Sequence, residues 1–319
     1  MKTVVFMGTP DFAVDTLQAL NASEKYEVTG VFTQPDRPKG RGNAVAMSPV
    51  KETAIAARIP VYQPEKIRDD ASWEVLQKLA PDFIVVVAFG QLIPKRILDL
   101  PRYCCVNVHA SLLPKYRGAA PIQWAILDGE TETGVTTMRM DPGLDTGDMI
   151  RKVTVPIGPE ETGGSLFDTL KEKGAGLLLE TLDAIVDGTA SYEKQPEESP
   201  TRYASMLDRK MGKIDWTWPA EKIERYVRGL SPWPSAYTSR NGKTLKIWVS
   251  EVVSKEQMDG KTILEGAPGT IVYTDRNCLW IAAGDGLLSI RELQPEGKKR
   301  METDAYLRGY PAAAGEMLG

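Results

Sequence analysis

The chain has 319 residues and a mass of 35.1 kDa, is 42% hydrophobic and 26% charged, and carries a formal net charge of −4. This length allows two domains, and the composition is typical of a globular protein. The negative net charge excludes a protein that coats nucleic acid by bulk charge, and the lack of any apolar run near about 20 residues excludes a membrane-spanning helix. Residues 208–319 hold 17 Lys or Arg against 15 Asp or Glu, whereas residues 1–207 hold 22 against 28. A polyanionic partner would therefore be held by local patches and by the second half of the chain.

The three cysteines predict a reducing compartment. Cys104 and Cys105 are adjacent, which is too close for an ordinary disulfide, and the sequence has no C-x-x-C motif and no His/Cys cluster. We therefore expect free thiols, a cytoplasmic protein and no structural zinc or other metal.

The N-terminal residues predict a β-α-β unit. Residues 2–8 are β-formers, Pro10 and Asp11 start a helix that extends to about residue 22, and residues 28–33 form a second strand. Such an opening predicts an α/β fold with a parallel sheet. The turn after the first strand reads Gly-Thr-Pro rather than G-x-G-x-x-G, so a nicotinamide or flavin cofactor is excluded. Further helices are expected over residues 48–58, 72–79, 94–98, 119–127 and 164–186.

A loop rich in prolines, glycines and positive charges follows the second strand. Residues 34–43 read QPDRPKGRGN, and no regular element fits this composition. One interpretation is a solvated connection. Because long loops are usually functional or disordered, the other is that Arg37, Lys39 and Arg41 contact phosphates. The loop alone does not decide between them.

The only histidine of the chain, His109, lies at the end of a predicted buried strand. Alternation along that strand puts Asn107 and His109 on the same face, where the strand meets a loop. The almost continuous apolar run of residues 82–88 predicts a central parallel strand, and Phe89 and Gln91 follow at its carboxyl end. A lone histidine is more often a buried structural residue, but the neighbouring amide and the Pro-, Arg- and Gly-rich turn favour proton chemistry here.

An aspartate-rich turn follows a strand predicted over residues 134–140. Residues 141–148 hold three aspartates and two glycines, but the spacing of a calcium-binding EF-hand is missing. The turn is interpreted either as an Asx-stabilised connection or as a loop that brings one carboxylate to the histidine.

The C-terminal third predicts a separate small β domain. Residues 191–202 are polar, acidic and Pro-containing, as in an interdomain linker, and a helix is expected over 219–229. Short strands over 245–249, 269–273, 278–282 and 287–293 indicate a small β-barrel. Trp216, Trp218, Trp233 and Trp248 could stack on bases, but tryptophans in a small barrel are more often part of its core.

Several of these stretches together resemble the 10-formyltetrahydrofolate-dependent formyltransferases. They are Asn107-x-His109, the SLLP of residues 111–114, the RGAAP of residues 117–121 and the GLDTGD of residues 143–148. The opening GTPDFA and the QPDRPxGRG loop are similar to the members of that family that formylate methionyl-tRNA. Each motif alone is weak, but their order and spacing along the whole chain are highly specific.

The resemblance implies a Rossmann-like, folate-binding catalytic domain over 1–189, a linker over 190–207 and an OB-like, tRNA-binding domain over 208–319. The implied reaction transfers a formyl group from 10-formyltetrahydrofolate to the α-amine of methionine on initiator tRNA, for translation initiation. We expect a monomer that uses no metal.

The resemblance also implies roles for particular residues. The implied catalytic residues are Asn107, His109 and Asp145. The implied folate-binding residues are Ser111, Leu112, Leu113, Pro114, Phe89 and Gln91. The residues implied to meet the methionyl-tRNA are Phe12, Arg37, Lys39 and Arg41.

The chemistry of the three catalytic candidates fits this reaction independently of the resemblance. Asn107 and His109 are suitable hydrogen-bond donors for the oxyanion that forms when an amine attacks a formyl carbon. An imidazole held by Asp145 can move the proton from the amine toward the folate nitrogen. Because no second histidine exists, direct transfer is favoured over an acyl-enzyme.

Other functions remain open from the sequence. A small amine such as a sugar nucleotide or glycinamide ribonucleotide could be the acceptor, or the formyl-folate could be hydrolysed. A non-catalytic RNA- or folate-binding relative is the alternative outside the enzyme class.

Overall fold

The structure is a computed structural model that describes residues 1–39 and 44–319. The chain divides into two compact units, of which the first comprises Met1–Pro121, Glu132–Pro156 and Phe167–Ser205. The second comprises Ile122–Thr131, Ile157–Leu166 and Met206–Gly319. No helix among the described residues is long and apolar enough to cross a membrane.

The described elements that precede residue 190 are strands and helices, with helices between most of the strands of the larger sheet. The strands are β1 Lys2–Gly8, β2 Tyr26–Phe32, β3 Arg37–Lys39, β4 Ala44–Ala46, β5 Val61–Tyr62, β6 Phe83–Val87, β7 Cys104–His109, β8 Glu132–Arg139 and β9 Asp148–Pro156. The helices are α1 Val14–Ala22, α2 Pro49–Ala56, α3 Asp70–Leu79, α4 Lys95–Leu98, α5 Pro121–Asp128 and α6 Gly163–Val186.

A seven-stranded mixed sheet forms the centre of the first unit. Its strand order is β5-β2-β1-β6-β7-β8-β9. The first five strands in this order are parallel, and β8 and β9 extend the sheet with antiparallel pairing. Every residue of β6 is buried, as its continuous apolar sequence predicts for a strand covered on both faces. The predicted α/β fold is therefore confirmed, with two antiparallel strands added to the expected parallel sheet.

The helix starts follow local capping signals. Ser48 caps α2 by accepting a hydrogen bond from the Lys51 amide, with Pro49 in the first turn. α3 begins at Asp70, two residues before the expected range, and Asp69 caps it by accepting a hydrogen bond from the Ser72 amide. The predicted first helix begins as a short 3₁₀ turn over Asp11–Ala13 before α1.

The prediction that residues 34–43 contain no regular element is wrong in part. Arg37–Lys39 and Ala44–Ala46 pair as an antiparallel ribbon, with Pro38 opposite Val45. Proline lacks an amide hydrogen, but in a two-stranded ribbon each strand is an edge strand and tolerates it. Residues 40–43 lie outside the described part of the chain.

Residues that the sequence suggests as a linker pack on the first unit. Glu193 and Met149 exchange backbone hydrogen bonds of 2.8 Å, Gln195 is only 7% exposed, and the Ala204 amide donates to Arg117 O at 2.7 Å. The polar and acidic composition of this segment reflects its other, exposed side chains. The domain boundaries stated from the sequence remain a prediction.

The second unit contains an antiparallel sheet with helices packed on it. Its strands are β10 Ala236–Arg240, β11 Lys243–Val252, β12 Ile271–Thr274, β13 Leu279–Ala282, β14 Leu287–Pro295 and β15 Met301–Glu302. This unit includes most of α5 and the start of α6. Its further helices are α7 Ala220–Gly229, α8 Lys255–Met258 and α9 Thr303–Gly309. The order is β10-β11-β14-β13-β12, with β15 on β14.

The last residues of the chain join the two ends of this antiparallel sheet. Leu318 N donates a hydrogen bond to Gly269 O at 2.9 Å, and Gly319 N donates to Ser239 O at 3.0 Å. Trp216 is 5% exposed and belongs to the core, as predicted, whereas Trp233 is 53% exposed.

Candidate active site

The carboxyl ends of β1, β6 and β7 lie along one edge of the mixed sheet. The strand order reverses between β1 and β6, and the crevice at such a point is the usual ligand site of open α/β sheets. At the end of β1, a Cβ on Gly8 would lie 2.9 Å from Ala13 Cβ and 3.0 Å from Val87 O. Thr9 Oγ1 donates a hydrogen bond to Phe89 O at 3.1 Å. The backbones after β1 and β6 are therefore held close together at this edge.

β7 brings Asn107 and His109 to the same edge. It pairs with β6 on one side and β8 on the other, so it lies inside the sheet. Asn107 is partly exposed, and His109 is buried with 7% of its surface exposed. Its Nε2 lies 3.0 Å from Tyr116 O. Because a carbonyl oxygen only accepts hydrogen bonds, Nε2 carries the hydrogen in this arrangement.

The carboxylate of Asp145 lies between these two side chains. Its Oδ1 is 3.4 Å from Asn107 Nδ2 and 3.7 Å from His109 Nδ1. Its Oδ2 accepts a hydrogen bond from the Gly118 amide at 2.9 Å. The three side chains selected from the sequence therefore converge. The amide and imidazole contacts are longer than ordinary hydrogen bonds, as is common before a substrate binds.

The loop between β8 and β9 presents Asp145. The Asp141 carboxylate accepts hydrogen bonds from the Gly143 amide at 3.0 Å and from Thr146 Oγ1 at 2.8 Å, which makes the Asx-type turn that the sequence suggests. Gly147 must be glycine because a Cβ there would lie 1.9 Å from Arg139 O. Asp141 thus shapes the loop, and Asp145 is the carboxylate that reaches the histidine.

Three consecutive residues each hold one part of this constellation. Tyr116 contacts the imidazole through its carbonyl, Arg117 donates from Nε to Gln195 Oε1 at 3.0 Å, and Gly118 binds the carboxylate of Asp145. Gly118 has a φ of 126°, and a Cβ on it would lie 2.5 Å from the Ala204 carbonyl oxygen. Only glycine fits this position, which explains the Arg-Gly pair in the sequence.

Sequence reasoning missed Gln195. Its Nε2 donates hydrogen bonds to the backbone carbonyls of Asp145 at 2.9 Å and Gly147 at 2.7 Å. A glutamine in a polar, acidic stretch carries no local signal of burial. Its contact with Asp145, 50 residues away along the chain, becomes visible only in the folded structure.

The four residues suggested for folate binding after β7 form a turn anchored on β8. Thr136 Oγ1 donates to Ser111 O at 2.7 Å and accepts from the Leu113 amide at 3.1 Å. The side chains of Ser111 and Leu113 are buried, with exposed fractions of 0% and 1%, whereas Leu112 and Pro114 are partly exposed. The side chains of Ser111 and Leu113 are therefore not accessible to a ligand, and those of Leu112 and Pro114 are partly accessible.

Phe89 and Gln91, also suggested for folate binding, follow β6. Phe89 is 1% exposed, and its carbonyl accepts hydrogen bonds from Thr9 and from Gln34 Nε2. The side chain of Gln91 accepts from the Ile67 amide at 2.7 Å and donates to Pro64 O at 3.2 Å. The Phe89 carbonyl and the Gln91 side chain are thus both hydrogen-bonded within the protein after β6.

Phe12, suggested as a methionyl contact, lies in the 3₁₀ turn after β1. It is 6% exposed and packs edge to face on Phe167 with ring centroids 5.3 Å apart. Lys171, one turn further along α6, pairs with Asp11 at 3.0 Å.

The basic loop is anchored at its first residues. Lys51 and Gln63 donate hydrogen bonds to Asp36 and hold the pKa of that carboxyl below its usual value. Arg37 follows and is exposed. Lys39 ends β3, and Arg41 lies outside the described residues.

Neither a metal cluster nor reactive thiols accompany this site in the described part of the chain. Among those residues, no group of three or more His, Cys, Asp and Glu side chains could hold a metal ion. Cys104 and Cys105 at the start of β7 are buried, and burial raises the pKa of Cys104 to about 11.

Comparison with known proteins gives matches along the whole chain. Residues 1–182 match the formyl transferase family and residues 206–311 match the formyl transferase C-terminal domain. A methionyl-tRNA formyltransferase of Agathobacter rectalis is 56% identical over 99% of this chain and 99% of its own. One of Lachnospira eligens is 51% identical over the same shares of both chains.

Solved structures share the fold at lower identity. The sugar 3N-formyl transferase WlaRD, solved in the presence of dTDP and 5-N-formyl-THF, is 21% identical with a TM-score of 0.65 and covers 94% of this chain and 99% of its own. HypX from Aquifex aeolicus, solved with tetrahydrofolic acid, is 18% identical with a TM-score of 0.60 and covers 99% of this chain and 48% of its own.

Proposed function

The chain belongs to the formyl transferase family, and we propose that it transfers the formyl group of 10-formyltetrahydrofolate to the α-amine of methionine on initiator tRNA. The observation that carries this proposal is the convergence of Asn107, His109 and Asp145 within 3.7 Å at the carboxyl end of β7. The relatives named methionyl-tRNA formyltransferase, which align over nearly the full chain, support methionyl-tRNA as the acceptor.

The bond changes are a direct acyl transfer. The neutral α-amine attacks the formyl carbon, a C–N bond forms, and negative charge develops on the formyl oxygen. Collapse of this tetrahedral intermediate breaks the bond to N10 and releases tetrahydrofolate. The proton lost by the amine is the one that N10 gains, so no external acid or base is consumed.

Asn107 is the proposed oxyanion donor. One of its two amide hydrogens faces Asp145 at 3.4 Å, which leaves the second for the formyl oxygen. A preorganised donor of this kind contributes a factor of roughly a hundred to a thousand in rate.

His109 and Asp145 are the proposed route for the proton. With Nε2 donating to the Tyr116 carbonyl, Nδ1 is the nitrogen that can take a proton, and it faces the carboxylate at 3.7 Å. The carboxylate faces the nitrogen that takes the proton, so the pair can accept the amine proton and return it to N10. Acid–base help of this kind contributes a factor of roughly a hundred to ten thousand.

The donor and the acceptor are proposed to approach from different segments. The turn of residues 111–114 and the backbone after β6 would bind the folate, with Leu112 and Pro114 as the accessible side chains. Phe12 would lie near the methionyl group. The cations of the basic loop, Arg37, Lys39 and Arg41, and residues 208–319 would bind the phosphates of the tRNA.

A comparison of acceptors tests this proposal. Labelled formyl transfer from 10-formyltetrahydrofolate is measured with methionyl initiator tRNA, methionyl elongator tRNA and a UDP-amino sugar side by side. We expect a strong preference for the initiator tRNA. Label on the sugar alone would support formyl transfer but refute methionyl-tRNA as the acceptor. RNA binding without transfer to any acceptor would refute the proposal that the protein is an enzyme.

A further inference from the structure

We propose that Gln195 is the residue that positions Asp145 for catalysis, and that Arg117 positions Gln195 in turn. This inference rests on the proposed function because it takes Asp145 as part of the proton route. Gln195 belongs to the polar segment that follows α6, and it does not itself contact the imidazole. Its effect is transmitted through the backbone of the loop between β8 and β9.

The backbone at Asp145 needs an external restraint. Its φ is 56°, in the left-handed region that residues other than glycine rarely adopt. A non-glycine residue keeps this conformation only where its surroundings hold it there. If the loop relaxed, the hydrogen bond from the Gly118 amide would be the one firm contact left to direct the carboxylate toward His109.

Gln195 supplies that restraint with both hydrogens of one amide group. Nε2 donates to Asp145 O at 2.9 Å and to Gly147 O at 2.7 Å, and so holds the two carbonyls that flank Thr146. The side chain is 7% exposed, so water does not compete for these hydrogen bonds. Glutamine is required here because a glutamate oxygen at the same position would repel the two carbonyls.

Arg117 fixes the orientation of the Gln195 amide. Its Nε donates to Gln195 Oε1 at 3.0 Å, which leaves only the amide nitrogen to face the loop. The rest of the guanidinium donates to Pro196 O at 2.7 Å and Glu197 O at 3.1 Å. Arg117 is itself 7% exposed and stands directly before Gly118, which binds the carboxylate of Asp145. Arg117 thus acts on the Asp145 backbone through Gln195, and the next residue, Gly118, binds the Asp145 carboxylate.

The first test separates positioning from binding. Gln195→Ala and Gln195→Glu are compared with Glu198→Ala, a matched change at an exposed side chain three residues away. We expect both Gln195 variants to lose roughly ten- to a hundred-fold in kcat, because small misplacements of a catalytic group cost about that much, with the KM values for both substrates within about two-fold. Glu198→Ala should keep the wild-type kcat. A Gln195→Glu protein that is folded and retains the wild-type kcat would overturn the proposal.

The second test is a double-mutant cycle with Asp145→Asn. If Gln195 acts through Asp145, the double variant should be no slower than Asp145→Asn alone. Losses that multiply would mean that Gln195 contributes through general stability instead, and would overturn the proposal.

The third test does not require any turnover. The chain contains one histidine, so histidine-labelled protein freed of any affinity tag gives a single set of imidazole nuclear magnetic resonance signals. We expect Gln195→Ala to move these signals in the same direction as Asp145→Asn, while Glu198→Ala leaves them unchanged. Signals unmoved by Gln195→Ala but moved by Asp145→Asn would refute the positioning role. An absence of formyl transfer in the wild type would refute only the proposed function.

Discussion

The Asp145 carboxylate faces three groups at different distances. Gly118 binds one oxygen at 2.9 Å, and the other faces Asn107 at 3.4 Å and His109 at 3.7 Å. The firm contact fixes the carboxylate, and the two longer ones leave the amide and the imidazole able to shift toward a substrate. In the proposed mechanism, this freedom lets the two side chains respond to charge that appears only during the reaction.

Asn107→Ala should slow formyl transfer by roughly a hundred- to a thousand-fold, because it removes a donor to the developing oxyanion. The measurement is kcat under saturating folate and methionyl-tRNA. Asn21→Ala, at the exposed end of α1, serves as the matched control and should have no effect. A kcat within about three-fold of the wild type would remove Asn107 from the oxyanion role.

At the scale of elements, the antiparallel extension of the sheet supports the turn that follows β7. Gly134 of β8 lies where a Cβ would be 2.0 Å from Val153 O and 2.6 Å from Leu112 Cδ2. β8 can therefore pack against both β9 and the turn of residues 111–114 only with glycine at this position.

Gly134→Ala should lower the free energy of unfolding by about 1–3 kcal/mol, since β9 or Leu112 must move to admit the methyl group. Gly176→Ala is the matched control, because Gly176 lies on the exposed side of α6 with no atom within 4 Å of an added Cβ. That control should stabilise the protein by up to about 1 kcal/mol. Urea midpoints measure both, and equal midpoints for the two variants would contradict the packing described.

Cys104, at the start of β7, makes the free energy of unfolding decrease at alkaline pH. Burial raises the pKa of Cys104 from 9.0 to about 11, so the folded state keeps a proton that the unfolded state releases. The folded state binds more protons in this window, so stability is full below pH 9 and falls as the pH rises toward 11. At pH 10 the loss from this thiol should be about 1 kcal/mol.

Urea midpoints at pH 8 and pH 10 check this prediction. Cys104→Ala should show a smaller decrease between the two pH values than the wild type. An identical decrease in both proteins would show that the thiol does not contribute.

Features that depend on residues close together in the sequence could be predicted from it. β6 is a continuous apolar run because it is buried on both faces, and Asn107 and His109 share a face because strands alternate. β9 was missed because its exposed residues interrupt the apolar pattern. Gln195 was missed because its role depends on contacts with residues far away in the sequence, and such contacts leave no periodicity.

At the scale of the whole molecule, the proposed tRNA acceptor would contact residues outside the candidate active site. The net charge of −4 gives no bulk attraction of a polyanion, so the proposal assigns the phosphates of the tRNA to a few local cations. The basic loop of residues 34–43 and the more basic residues 208–319 are the segments with such cations.

Arg41→Ala should reduce kcat/KM for methionyl-tRNA by about ten-fold and make its salt dependence shallower by about one unit of slope, because one phosphate contact is lost. Folate binding should change by less than about two-fold, since phosphate contacts do not involve the donor. Arg68→Ala, an exposed arginine of the same unit, is the control and should change neither. Equal losses in tRNA use and folate binding would refute the role assigned to the loop.

The most direct measurement is single-turnover formyl transfer from 10-formyltetrahydrofolate to methionyl initiator tRNA by the wild type and by His109→Ala, with folate affinity measured on both. We predict rapid transfer by the wild type, folate affinity in the variant within about two-fold, and a transfer rate lower by roughly a hundred- to ten-thousand-fold. A wild type that transfers nothing to this acceptor, or a variant that transfers at the wild-type rate, would contradict the assignment of this chemistry to His109.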